Sequence, residues 1–163
     1  MSSFSENGHA GEADLLRAEA YGAIDEAISA LGLARSLVKK GRTKEIILQA
    51  QRSLRVIGEE IATEITENKS FAFPLDSIVE GTVDSLERII DELEAEIEMP
   101  QAFVVPGKNL GSAALDLSRS MLRRAERRVT SLNGTGELKN EFLLSYLNRL
   151  ADLIFVFARY EEK

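Results

Sequence analysis

Residues 20–38 read AYGAIDEAISALGLARSLV. Ala20, Ile24, Ala27, Leu31, Ala34 and Val38 recur at alternating spacings of four and three. At 3.6 residues per turn these six fall on one stripe of a helix, whereas a strand would scatter them over two faces. The stretch is therefore read as an amphipathic helix beginning near Ala13 and stopped by Gly41. Lys39 and Lys40 sit where the negative end of the helix dipole favours cations.

The same spacing recurs along the chain. A second helix is expected from Thr43 as N-cap, with Ile47, Ala50, Leu54, Ile57, Ile61 and Ile65 inward. Residues 68–75 break the pattern and contain Phe73-Pro74. Ser77 and Glu80 fit a capping box for a third helix carrying Val79, Val83, Leu86, Ile90, Leu93 and Ile97, which ends before Pro100. Phe103-Val104-Val105-Pro106-Gly107 is read as a buried connector, because a lone strand has no partner. A fourth helix is expected from Ser112 to Leu132, with Ala114, Leu117, Met121, Ala125 and Val129 inward. Asn133-Gly134 marks a turn, and a fifth helix from Glu137 to Tyr160 carries Leu143, Leu147, Leu150, Ile154 and Phe157. The expected fold is all-α: a five-helix bundle with a four-helix core, one domain over 1–163, with 1–12 a loop or flexible tail.

With 163 residues the chain can bury a full core without staples. It has no Cys, which excludes disulfides, thiolate metal sites and thiol nucleophiles. Its one His, His9, leaves no basis for a His-rich metal site or a Ser-His-Asp triad, so no protein-held metal is expected. A net charge of −7 disfavours nucleic acid and anionic membranes as partners. No apolar run reaches the ~20 residues of a membrane span, and residues 1–12 lack the apolar core of a secretory leader, so a cytoplasmic location is expected. Any enzyme built from these parts works by positioning and charge.

Charge is unevenly placed. The third helix is acidic (Asp84, Glu87, Asp91, Glu92, Glu94, Glu96, Glu98), a pattern typical of a solvated face. The fourth is basic, with Arg119, Arg123 and Arg127 four apart in one row beside Arg124 and Arg128. Forked donors in a row suit a polyphosphate or carboxylates, or they pair with the acidic helices.

Four stretches, in order, resemble PduO-type ATP:cob(I)alamin adenosyltransferases. Residues 20–35 are similar to that family's first-helix signature, and Phe103-Val104-Val105-Pro106-Gly107 to its apolar loop. Arg119 followed by Arg123-Arg124-Ala125-Glu126-Arg127 resembles its Ala-Arg-x-x-x-Arg-Arg-Ala-Glu-Arg motif. Residues 146–153, YLNRLADL, resemble its closing Leu-Asn-Arg-Leu-Ser-Asp-Leu.

The resemblance implies a homotrimer of helical bundles with sites between subunits. It implies transfer of the adenosyl group of ATP to reduced cob(I)alamin, with triphosphate as leaving group. Cobalamin, ATP and Mg2+ carried by ATP are the implied ligands. The cofactor carries the hard chemistry, so scarcity of Cys and His does not count against an enzyme. By resemblance Arg119, Arg123 and Asn148 hold ATP, Asp25 pairs with Arg119, and Phe103 keeps a lower ligand off cobalt. Arg124 and Glu126 match supporting positions, and Gly8 and Gly11 match glycines of a phosphate-binding loop.

The sequence also departs from the pattern. Glu6, His9 and Ala13 replace a cation, an acid and a hydroxyl of that loop. Ile28 replaces a usual Asn, Lys108 a second glycine, and Asp116 a usual His one turn before Arg119. A carboxylate from Glu6 or Asp116 facing triphosphate opposes binding by about 1 kcal/mol even when well screened. Two other roles are therefore carried beside the transferase: an inactive homologue binding cobalamin or another anion, and a structural trimeric assembly.

Overall fold

The computed structural model describes residues 3–63 and 78–163, with side chains for 11–62 and 78–163. Five helices follow in order: α1 (Ser3–Leu37), α2 (Gly41–Thr63), α3 (Glu80–Glu96), α4 (Leu110–Asn133) and α5 (Phe142–Tyr160). No strand occurs among the described residues. α4 lies between α1 and α5, α2 packs on α1, and α2 also touches α5. These four enclose the core, and α3 flanks it by packing on α5.

The stripe of α1 is buried as its spacing demands: Ala20, Ala27, Leu31 and Ala34 are fully inaccessible. Ile47, Leu54, Ile57 and Ile61 of α2 pack on it, and Leu147, Leu150, Ile154 and Phe157 of α5 belong to the same core. At about 25 cal/mol per Å2 of apolar surface, these side chains supply the main driving force for folding. Alanines facing leucines and isoleucines let the helix axes approach closely. Backbones approach closely at Gly111, where a methyl group would stand 3.3 Å from the Val38 Cα and 3.4 Å from the Leu37 carbonyl oxygen. Only glycine fits there without moving a neighbouring backbone.

Several expectations are corrected. The segment up to residue 12, expected as a loop, is helical from Ser3. It holds no proline, and extending an existing helix costs far less than nucleating one, so two glycines do not stop it. α2 begins at Gly41, so Thr43 lies buried inside the first turn and does not cap it. The Glu161 carboxylate takes the capping role, accepting from the backbone N–H groups of Lys39 (2.9 Å) and Lys40 (3.3 Å). Lys40 Nζ lies 3.6 Å from the Tyr160 ring centroid and closes the same corner. Ile65, residues 68–75 and Ser77 lie outside the described residues. Val79, expected inward, is exposed and precedes α3; Leu86 and Leu93 are its buried positions.

In α4 the inward face is Leu115, Ser118, Leu122, Ala125, Val129 and Leu132, while Leu117 is half exposed and Met121 partly buried. The register slips because Ser118 occupies a core position. Its hydroxyl donates to the Ala114 carbonyl at 2.7 Å, so it needs no water. Asn109 caps this helix, accepting from Ser112 N–H at 2.9 Å while its own N–H donates to the Ser112 hydroxyl at 3.2 Å. α5 starts at Phe142, later than expected, because the Asn140 side chain takes the Phe142 N–H at 3.0 Å. The Asn140 amide also donates to the Ile78 carbonyl at 3.0 Å, pinning the loop. The connector is not buried: Phe103 and Val105 are exposed and Val104 is only partly covered. Loops run over the surface because their backbone groups need water.

Tyr146 of α5 is fully buried. Burial pushes its hydroxyl from 10.0 up to about 12, opposed by a hydrogen bond from Ser53 of α2. The folded state thus favours the neutral phenol. That stabilisation is complete below pH 10.0 and is lost as pH rises through about 12. Urea midpoints followed by circular dichroism are expected to fall over this window by an amount equivalent to about 2–3 kcal/mol. Tyr146→Phe should remove that part of the fall; an unchanged pH profile in the variant would refute the assignment.

Candidate functional site

The site grows from the exposed side of α4. Its apolar stripe points inward, so the row Arg119, Arg123 and Arg127 is left at the edge facing α5 or solvent. Arg123 Nη1 donates to Glu126 Oε2 at 2.9 Å. Asn148 Nδ2, from α5, donates to Glu126 Oε1 at 2.9 Å. One carboxylate therefore joins an arginine and an amide from two helices and fixes both. Glu126 is the more covered partner, with 19% of its side chain exposed against 40% for Arg123. It offsets one positive charge of the row, while no ion pair joins Arg119 or Arg127 to a carboxylate among the described residues.

Arg119 is held differently. Its guanidinium carbon lies 5.1 Å from the centroid of the Phe155 ring, within cation–π range. Its Nε is buried and has no hydrogen-bond partner among the described residues. Arg159, one turn after Phe155 on α5, lies at the same 5.1 Å from that ring. Arg159 Nη2 also donates to Asp116 Oδ2 at 2.7 Å and Glu162 Oε1 at 3.0 Å. Asp116 and Arg159 side chains are only 8% and 5% exposed.

That pair corrects the expectation for Asp116. Its carboxylate points into the bundle toward Arg159, and its charge is compensated there, so it does not stand as an unpaired anion beside the arginine row. Behind Arg159 a cleft of about 460 Å3 opens, which Val104 and Lys108 of the 98–109 loop also line.

The other expected residues lie apart. Asp25 is exposed on the side of α1 that faces α2, beside Tyr21, Arg55 and Gly58. No pair with Arg119 forms within the chain, because Arg119 faces α5 across the bundle. Arg124 and Arg128 turn the other way and pair with Glu26 and Glu19 of α1, the latter at 2.9 Å. They secure α4 to α1. Phe103 is 91% exposed at the surface of its loop. Gly8 and Gly11 fall inside α1, and Gly11 lacks the positive φ of a phosphate-binding nest; among the described residues only Gly107 and Gly136 have it. Ile28 packs against the core, and its carbonyl accepts from Gln51 at 3.0 Å. Sequence reasoning takes Phe155 for a core or trimer-interface residue rather than a ligand contact, and it passes over Arg159. The spacing of four between them and the adjacency of Asp116 to Arg119 on α4 were the available signals.

The buried pair has a measurable worth. Asp116→Ala leaves Arg159 with Glu162 alone and should destabilise the fold by about 2–4 kcal/mol in urea unfolding. Asp116→Ala combined with Arg159→Met removes both charges and should cost less than the single change. Equal or additive losses would deny the coupling.

The family model for cobalamin adenosyltransferase matches residues 4–161. A corrinoid adenosyltransferase of Citrobacter freundii is 36% identical over 149 residues, covering 91% of this chain and 82% of that protein. One from Bacillus subtilis is 37% identical over 151 residues, covering 90% and 74%. Among solved structures, a variant PduO-type ATP:corrinoid adenosyltransferase from Lactobacillus reuteri, complexed with cobalamin and ATP, aligns with a TM-score of 0.78. It is 28% identical, and the alignment covers 90% of this chain and 78% of that one. The match extends over nearly the whole chain, which belongs to the cobalamin adenosyltransferase family.

Proposed function

We propose that this protein transfers the adenosyl group of ATP to reduced cob(I)alamin as a homotrimer. The observation that carries the reading is the join of Arg123, Glu126 and Asn148, one turn from Arg119, at the edge of α4 and α5. In the reaction the cobalt–carbon bond forms as the carbon–oxygen bond to triphosphate breaks. Charge therefore builds on the leaving oxygens. Arg119 and Arg123 meet it with forked donors, and Asn148 adds an amide; all three are set before ATP arrives. Mg2+ enters with ATP. Phe103, exposed and apolar, suits a face of the corrin from which water and the lower ligand must be excluded.

The trimer is part of the same reading. Asp25 and Arg119 lie on different sides of one bundle, so their implied pair closes only between copies. Val105, Leu110 and Leu117 are further exposed apolar side chains for a neighbour to cover. A cytoplasmic location stays within this proposal. Gly8 and Gly11 join the nucleotide site only if the first turns of α1 rearrange; each glycine weakens the helix there by about 1 kcal/mol.

The test is formation of the cobalt–carbon bond, followed optically with ATP, Mg2+ and reduced cobalamin. Arg119→Ala and Arg123→Ala should each lower kcat/KM about 10- to 100-fold, the worth of a hydrogen bond to a charged group. No product from the unaltered protein would remove the reading. Light scattering should give three chain masses, and Asp25→Ala should reduce that mass or weaken ATP; a variant with neither effect refutes the pair between copies. A cobalamin-binding homologue without catalysis has one observation in its favour, the unbroken helix through Gly11. Calorimetry showing cobalamin binding without ATP binding would select it.

A further inference from the structure

Arg119 faces a physical difficulty. A guanidinium on a helix surface samples many rotamers, and freezing it on binding costs affinity. Among the described residues its buried Nε has no hydrogen-bond partner and no carboxylate forms an ion pair with its fork. What it touches is the Phe155 ring, 5.1 Å from its guanidinium carbon. That ring meets a second cation at the same distance, Arg159, which Asp116 holds at 2.7 Å and Glu162 at 3.0 Å. Asp116 lies three residues before Arg119 on α4, and Arg159 four after Phe155 on α5. The four side chains therefore form two facing rungs between the helices.

We propose that Asp116 and Phe155 are positioning residues for Arg119: the buried Asp116–Arg159 pair fixes the Phe155 ring, and the ring aims Arg119 at the phosphates. The proposal rests on the transferase reading only for what Arg119 binds. The aiming itself is a property of the unliganded chain. Asp116 fills a position where the resemblance leads one to expect His, so this anchoring is a feature of the present sequence. It replaces a repulsion expected near ATP by a contact that organises the site from behind.

The experiment has two arms, on the full chain. In the first, the Arg119 Nε–H resonance is found in proton–nitrogen spectra by its loss in Arg119→Lys. The ring current and shielding by Phe155 should give it a displaced shift and slow exchange with water. Phe155→Leu, which keeps an apolar side chain at this half-buried position, should abolish both, and Phe155→Tyr should retain them. Asp116→Asn should move the resonance in the same direction as Phe155→Leu. If Asp116→Asn fails to fold, Phe155→Leu decides alone.

In the second arm, KM for ATP should rise about two- to fivefold in Phe155→Leu, the worth of one partly exposed cation–π contact, with kcat within twofold. Phe155→Tyr should restore it. A folded Phe155→Leu whose Arg119 resonance is unmoved overturns the proposal, as does an unchanged KM beside a moved resonance. Absence of turnover in the unaltered protein overturns the transferase reading instead, and the spectra still decide whether Phe155 orients Arg119.

Discussion

The inward stripe of α4 is the constraint on which the rest of this protein depends. Leu115, Leu122, Ala125, Val129 and Leu132 must be buried between α1 and α5, and that requirement fixes the rotation of the helix about its axis. Once the rotation is fixed, each arginine has one place to go. Arg124 and Arg128 fall toward α1 and meet Glu26 and Glu19. Arg119 and Arg123 fall toward α5 and meet Phe155 and, through Glu126, Asn148. A basic helix thus divides its charges between holding the bundle and offering a surface to an anion.

The division follows from energetics. Exposed ion pairs such as Arg124–Glu26 contribute little each, about 0–1 kcal/mol, but they bias which face turns outward. The Asp116–Arg159 pair is of another kind. Its charges are largely removed from water, so losing either partner is costly, and it resists loosening. The first kind adjusts the packing of α1; the second makes one corner of the α4–α5 seam rigid where the arginine row begins.

Helix number, order and most of the core were legible because periodicity survives any tertiary context. The stripe of α1 is the clearest case, since all six of its positions are buried. Boundaries were less legible, because distant side chains set them: Glu161 caps α2 and Asn140 delays α5. Ser118 misled the α4 register, since nothing in its identity says that its hydroxyl will turn back to Ala114. In the site, Arg123, Glu126 and Asn148 were named from motif matches, and the structure adds how they touch. Asp116 was misjudged because its partner lies 43 residues away, beyond what local spacing reports. Asp25 and Phe103 were chosen for contacts that one chain does not make.

The chain has three Tyr and no Trp. Tyr146 is the buried one of the three, and its Ser53 contact spans the α2–α5 seam that closes the four-helix ring. Its emission is therefore not masked by indole. Loss of that seam alters the quenching of one core ring, so the protein carries a built-in fluorescent reporter of whether its ring is shut.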